Sequence, residues 1–312
     1  MMSFTTEVKA EIAQNELTDS QMRAQLSAMI QMCSTLSFTN RGMHIVVKSE
    51  NANTAKRVWR LLKERYQVDS ELSVIKKMKL KKNNVYVIRI VNQAADILKD
   101  LEIFTDAGLQ SHPSSQLTAK EADAKAYLAG AFLASGSINS PQTANYHMEI
   151  TANTEALAKY IQRQMKKFDL PAKLIKRRAQ HVVYVKASDK ISDFLRCIGA
   201  SDAVFTFEDS RIQRDFMNAL TRLDNCEVAN EMKSLKAASQ QLEDIDWIEN
   251  YSSLEVLPPK IKVVAQLRKA YPDSSLNELC DLYQEKTRET ISKSGMKHRL
   301  GKLREIANQY RE

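Results

Sequence analysis

Glycine and proline are scarce in this chain, 7 and 6 of 312 residues, which excludes long flexible or proline-stiffened linkers. Its four cysteines (Cys33, Cys197, Cys226 and Cys280) stand far apart, with no pair at metal-ligand spacing. Each lies in an apolar helical context, so all four are expected to be reduced core thiols of a cytosolic protein. No apolar run approaches the length of a membrane span, and the polar, mixed-charge N-terminus does not read as a signal peptide. A glycine-rich nucleotide loop, a catalytic-triad spacing and a zinc motif are also missing. No cofactor, metal or catalytic residue is therefore expected.

What is present is a surplus of positive charge. Lysine and arginine total 46 against 38 acidic residues, a formal charge of +8 with a pI near 9.1, which favours a polyanionic partner. The length suits about two domains with a sizeable core.

The chain is organised around Tyr127–Ser137, YLAGAFLASGS, where small residues alternate with large apolar ones. A helix of that composition lets another backbone approach closely. A second copy lies upstream: Leu26–Leu36 (LSAMIQMCSTL) aligns without a gap with Leu128–Ile138 (LAGAFLASGSI). The match continues from His44 (HIVVKSENANTAKRVWRLLKE) to His147 (HMEITANTEALAKYIQRQMKK), and from the VYV at Val85 to the VYV at Val183. A period of roughly 100 residues is too long for a solenoid unit and suits two α/β half-domains around a shared seam.

LAGAFLASG resembles the helix signature of the LAGLIDADG homing-endonuclease fold, in which two such helices form the seam between αββαββα halves. With the opening MSFTTEVKAEI, the segment Arg211–Ala238 and the C-terminal SLNELCDLY and SKSGMKHRLGKLREIA, the whole chain resembles the bacterial WhiA family. That resemblance implies a DNA-binding transcription regulator tied to cell division, chromosome segregation or sporulation. The expected fold class is α+β: a degenerate, pseudo-dimeric LAGLIDADG-type repeat domain joined to an all-α helix-turn-helix domain. The repeat domain is expected over residues 1–205, with halves at about 1–108 and 118–205. A helical connector with an acidic stretch follows at 206–255, and the helix-turn-helix domain at 256–312.

Along the first half, helices are expected at Phe4–Asn15, Ser20–Ser34, Asn53–Tyr66 and Ala94–Leu101, with a turn at Asn40–Gly42. Glu71–Leu80 and Asn84–Val91 read as a hairpin in which Leu72, Val74, Met78 and Leu80 alternate with polar residues. In the connector, Ala237–Leu257 holds no lysine or arginine but five acids. Beyond Pro258 three apolar stripes follow: Ile261, Val264 and Leu267; Leu276, Leu279, Cys280 and Tyr283; and Met296, Leu300, Leu303 and Ala307. Ser274 or Ser275 is the expected N-cap of the middle helix. Three short helices, the last one basic, form a helix-turn-helix pattern. Gln284–Ile291 is longer than the tight turn of a standard motif.

In LAGLIDADG nucleases each seam helix ends in an acid, and the two acids bind the metals that activate water. The matching positions here are Cys33 and Ser135. Neither is a carboxylate, and neither suits hard Mg²⁺, so no nuclease chemistry is expected. The nearest acids, Glu50 and Glu149, read as surface or hairpin charge. His44 and His147 occupy equivalent strand positions, which suggests a structural role, and His112 and His181 have no partners in sequence.

The DNA-reading segment is expected at about Ser274 to Asn308. Between Lys286 and Arg304 seven basic residues face one acid, Glu289. With the third stripe inward, Ser294, His298 and Gly301 face out, flanked by Lys297 and Lys302. Donors to base edges are His298, Lys297 and Ser294, while Lys293, Arg299 and Lys302 reach phosphates. Ser292 and the amides at the helix start can hold a phosphate. Ser275, Asn277 and Gly295 complete the expected DNA-binding set. Lys77 and Lys79, with Lys176 and Arg177 at the matching place in the second half, form a secondary set that either tracks phosphates or keeps the sheet soluble.

The expected partner is duplex DNA, bound by a cytoplasmic, nucleoid-associated monomer that makes no use of a membrane. Two rivals stay open. One is an endonuclease using displaced carboxylates; the other is an adaptor whose repeat domain binds a protein partner, such as an RNA polymerase sigma factor, a division protein or another regulator, its tail serving only to localise it.

Overall fold

A computed structural model describes residues 3–39, 42–76, 84–143 and 145–311. The chain divides into two compact units, Met1–Arg214 and Asp215–Glu312.

The first unit opens with α1 (Phe4–Ile12) and α2 (Asp19–Cys33), then β1 (Ser34–Thr39), β2 (Gly42–Ser49) and α3 (Ala52–Tyr66). β3 (Glu71–Lys76), β4 (Asn84–Ile90) and α4 (Ala94–Asp100) complete the first half. A two-stranded hairpin, β5 (Phe104–Thr105) with β6 (Gly108–Leu109), precedes the second half. That half runs α5 (Glu121–Ser135), β7 (Gly136–Ile138), β8 (Met148–Ala152), α6 (Glu155–Lys166), β9 (Lys173–Arg177), β10 (Gln180–Val185) and α7 (Ser188–Cys197). Each half is αββαββα, and each sheet is antiparallel with the same order, β1-β2-β4-β3 and β7-β8-β10-β9.

The repeat has local causes. Side-chain caps start equivalent helices: Asn51 Oδ1 accepts from Thr54 N at 3.0 Å before α3, and Thr154 Oγ1 from Leu157 N at 3.3 Å before α6. The seam is α2 against α5, the most extensive helix pairing in the molecule. Gly130 makes the approach possible: a Cβ there would lie 2.4 Å from the Gln25 carbonyl oxygen and 3.1 Å from Ala28 Cβ. Ala28 and Gly130 are equivalent in the repeat, so the two halves meet at matching positions. Around the seam Leu26, Met29, Ile30, Leu128, Phe132 and Leu133 are fully buried. α1 ties the halves together, because Thr5 Oγ1 donates to the Ile138 carbonyl at 2.8 Å and accepts from Ile138 N at 2.9 Å.

β3 departs from the alternating pattern read for it. Every residue of this edge strand is exposed, with Leu72 at 45 %, Val74 at 50 % and Ile75 at 54 %. β3 is the last strand of its sheet, β1-β2-β4-β3, so it pairs on one side only. The expected continuation through Lys77, Met78, Lys79 and Leu80, like the turn at Asn40–Arg41, lies outside the described residues.

α8 (Ser201–Tyr251) is 51 residues long. The Glu11 carboxylate accepts from Asp202 N at 2.8 Å and Ala203 N at 3.0 Å, closing its N-terminus with negative charge. The division between units falls within this helix, at Arg214/Asp215. Cys226 lies exposed on it, contrary to the expectation of a core thiol, because the middle of α8 packs against nothing described; Cys33, Cys197 and Cys280 are partly buried.

The second unit adds a 3₁₀ turn (Leu254–Val256), α9 (Pro259–Ala270), α10 (Leu276–Thr287) and α11 (Lys293–Gln309). Its core joins Val264, Leu267, Leu279, Tyr283, Met296, Leu300, Leu303 and Ala307 to Ile245 and Ile248 of α8. The end of the expected connector therefore supplies core residues to this unit. Buried Arg268 holds the corner between α9 and α10, donating to Gln241 Oε1 (2.9 Å) and to the carbonyls of Pro272 (3.2 Å) and Ser274 (2.6 Å).

Candidate nucleic-acid interface

α10 and α11 place the expected reading residues. Ser275 is the N-cap of α10: its Oγ accepts from Glu278 N at 3.3 Å, and Glu278 Oε2 accepts from Ser275 N at 2.7 Å. The helix continues to Thr287, whose hydroxyl donates to the Tyr283 carbonyl at 2.7 Å, and Arg288 closes it in the left-handed region (φ 63°). The connection to α11 is therefore Arg288–Ser292, shorter than the Gln284–Ile291 loop read from the sequence. Ser292 caps α11 through Gly295 N at 3.1 Å.

On α11 the inward stripe, Met296, Leu300, Leu303 and Ala307, is buried as patterned. Lys293, Ser294, Lys297, His298, Gly301 and Lys302 are exposed, as is Asn277 on α10. Between Lys293 and Arg304 the helix carries no acid. Glu289, the one acid nearby, accepts from Lys260 Nζ at 2.9 Å, which lowers its carboxyl pKa. Gly295 is half-buried because a Cβ there would meet Ile291 Cγ1 at 3.1 Å, whereas a Cβ at Gly301 would meet nothing within 4 Å.

Arg299 is not on the outward face. It is half-buried, its guanidinium 4.8 Å from the Tyr283 ring centroid, because position 299 adjoins the inward Leu300 and Leu303. Ser275 and Ser292 have hydroxyls engaged as caps rather than free for DNA.

The secondary set is split. Lys77 and Lys79 lie outside the described residues. Lys176 is exposed on β9, while Arg177 Nη1 pairs with Glu149 Oε2 at 3.2 Å. Glu149 also holds His147 Nε2 at 2.9 Å, and the His147 ring stacks on Tyr184, so this acid and this histidine hold the sheet together. His112 stacks on Tyr160 at 5.0 Å, a partner 48 positions away that the sequence alone did not reveal.

Three family models match in succession: the WhiA N-terminal LAGLIDADG-like domain over residues 19–104, the WhiA LAGLIDADG-like domain over 124–217, and the WhiA C-terminal HTH domain over 220–307. The chain is 43% identical over 311 residues to a "Probable cell division protein WhiA" of Bacillus cereus, covering 99% of this chain and 98% of that one. A protein of the same description from Exiguobacterium sibiricum is 44% identical over 312 residues, covering 99% and 97%. This chain belongs to the WhiA family. The crystal structure of full-length WhiA from Thermatoga maritima shares its fold, with a TM-score of 0.59 at 22% identity over 99% of both chains. The N-terminal LAGLIDADG domain of a WhiA protein aligns with a TM-score of 0.52 at 22% identity, covering 64% of this chain and 91% of that one.

In this WhiA-family chain the seam ends do not suit the metals of the LAGLIDADG nucleases. Cys33 and Ser135 are the last residues of α2 and α5. Burial pushes the Cys33 thiol up to about 11, so it stays a neutral, soft donor. Ser135 Oγ donates to the Thr151 carbonyl at 2.6 Å. Lys9 is buried near the thiol, its ammonium 5.8 Å from the Phe132 ring centroid, and burial lowers its pKa to about 8. A buried ammonium beside the Cys33 thiol repels a divalent cation. No cluster of metal-ligating side chains occurs among the described residues, and no described helix is long and apolar enough to cross a membrane.

Proposed function

We propose that this WhiA-family chain is a sequence-specific duplex-DNA-binding transcription regulator linked to cell division, chromosome segregation or sporulation, with no nuclease chemistry. One observation carries the reading. α11 exposes Ser294, Lys297, His298 and Lys302 opposite a buried stripe, on a stretch without acids. A helix so placed enters a major groove, which offers a distinct donor and acceptor pattern for each base pair. His298, Lys297 and Ser294 donate to base edges; Lys293 and Lys302 neutralise phosphates. The Lys293 and Ser294 amides at the start of α11 add phosphate donors, since no preceding helical carbonyl accepts from them, whereas the Gly295 amide is taken by the Ser292 cap. The relatives' description as probable cell division proteins supports the cellular role, and the cytoplasmic, nucleoid-associated location follows from the DNA partner.

The test measures affinity on the preferred duplex and on a scrambled one. His298→Ala and Lys297→Ala each weaken the specific complex by about 1–3 kcal/mol and the scrambled one far less. Equal losses on both duplexes would show that α11 does not read bases. Mg²⁺ or Mn²⁺ induces no cleavage of either duplex; metal-dependent nicking lost on mutating Glu149 would restore the nuclease reading.

A second reading has its own support. Phe216, Met217, Leu220, Leu223, Val228 and Met232 are exposed along α8, an apolar surface that fits a protein partner such as a sigma factor. In that adaptor, alanine at Phe216 and Leu223 abolishes partner capture and leaves DNA affinity intact.

A further inference from the structure

Arg57, on α3, is 2 % exposed. Its Nε donates to Gln25 Oε1 at 2.7 Å and its Nη1 to the Ala13 carbonyl at 3.1 Å. Arg60 Nη2 donates to the same carbonyl at 2.8 Å. Ala13 ends α1, so these two guanidiniums stand at the negative end of that helix. Capping one carbonyl accounts for one cation, not two. Arg57 Nη2 remains buried with no hydrogen-bond partner among the described residues.

A buried guanidinium ordinarily has a carboxylate beside it. Here the neighbouring charge is of the same sign: burial, then Arg60, pulls Arg57 down to about 10, and only Glu64 acts in the opposite direction. Glu64 faces Arg60 across 4.0 Å, with both side chains about half exposed, so it screens the pair weakly.

Arg57 lines a cleft of about 610 Å³, together with Lys56, Trp59, Arg60, Ala13 and Leu72. No acidic side chain is among its described lining residues. The volume lies within the roughly 300–1,000 Å³ of small-molecule sites. Three cations gather beside an indole and an apolar wall; Lys56 and Arg60 are accessible, and the buried Arg57 behind them adds a charge that no carboxylate compensates. That set matches an anion carrying a planar, weakly polar body.

We propose that this cleft binds a nucleoside diphosphate or triphosphate. The phosphates take Arg60 and Lys56, whose side chains are accessible, and their negative charge compensates the buried Arg57 guanidinium behind them. The base lies against Trp59 and Leu72, since every base presents a π-face and stacking is tolerant of its identity. The site belongs to the repeat domain and is independent of the proposal for α11.

The chain has 2 tryptophans, so Trp247→Phe leaves Trp59 as the only indole reporter. In that full-length background, ADP and GDP quench the Trp59 emission saturably and raise the melting temperature. Adenosine and inorganic phosphate bind at least about tenfold more weakly, because each supplies one half of the recognition. Lys56→Gln with Arg60→Gln, two exposed or half-exposed side chains, weakens ADP by roughly tenfold or more while the fold persists. Absence of saturable quenching by ADP, or unchanged ADP affinity in the double variant, would overturn the site. Phosphate binding as tightly as ADP would overturn the nucleotide assignment.

Discussion

Placed at two glycines, the same substitution has opposite signs. Gly130→Ala puts a methyl 2.4 Å from the Gln25 carbonyl oxygen of α2. A carbon–oxygen contact is comfortable only from about 3.3 Å, so α2 and α5 must separate by about 1 Å. The obstructing atom is backbone within a packed seam and cannot rotate away, which places the cost near the upper end of the 1–3 kcal/mol range for overpacking, at about 3 kcal/mol. The better helix propensity of alanine offsets about 1 kcal/mol. The net loss is about 2 kcal/mol, a fall of roughly 4–8 °C in the melting of a domain this size. Gly301→Ala meets nothing within 4 Å and keeps the propensity gain, so the second unit melts roughly 4–8 °C higher. Calorimetry of the full chain, with reversible urea unfolding to supply the free energies, measures both. A neutral or stabilising Gly130→Ala would refute close packing at the seam, and a destabilising Gly301→Ala would refute an open outward face on α11.

Neutralising Lys176 together with Lys77 and Lys79 lowers the slope of log affinity against log salt by roughly one per lost phosphate contact, equally on specific and scrambled duplexes, if the first unit touches DNA. An unchanged slope removes that unit from the interface. Lys9, held at about 8 in the fold against an ordinary 10.5, makes the folded state bind fewer protons than the unfolded one between those values. Its penalty is full below pH 8 and fades as pH rises toward 10.5. Lys9→Met is thus more stable than the parent by about 3 kcal/mol at pH 7, the gap closing by pH 10; a gap that is constant with pH would contradict it. The Cys33 thiol, whose raised pKa costs stability from pH 9 upward, is itself pulled down by Lys9, so Lys9→Met loses further stability there and the gap closes in the same direction. A fragment Asp215–Glu312 folds and binds DNA, whereas one beginning at residue 256 lacks Ile245 and Ile248 and melts early or not cooperatively, as circular dichroism will report.

The sequence by itself determined whatever depends on near neighbours along the chain. The seam helices were legible because small residues, caps and apolar spacing are local: α2 and α5 end at Cys33 and Ser135, the positions that the gapless alignment pairs. The stripes of α9, α10 and α11 were legible because a 3.6-residue period fixes which side chains share a face. Tertiary structure alone decided what meets across long separations. It turned Arg299 onto Tyr283, recruited Ile245 and Ile248 to the second core, and left β3 exposed as an edge strand. It also set Lys9 beside Cys33 and brought Arg57 to Ala13, 44 positions away, with one nitrogen unsatisfied. Periodicity gives the direction of a side chain to within a face; whether a charge there finds water, a ring or nothing depends on elements that the pattern does not locate.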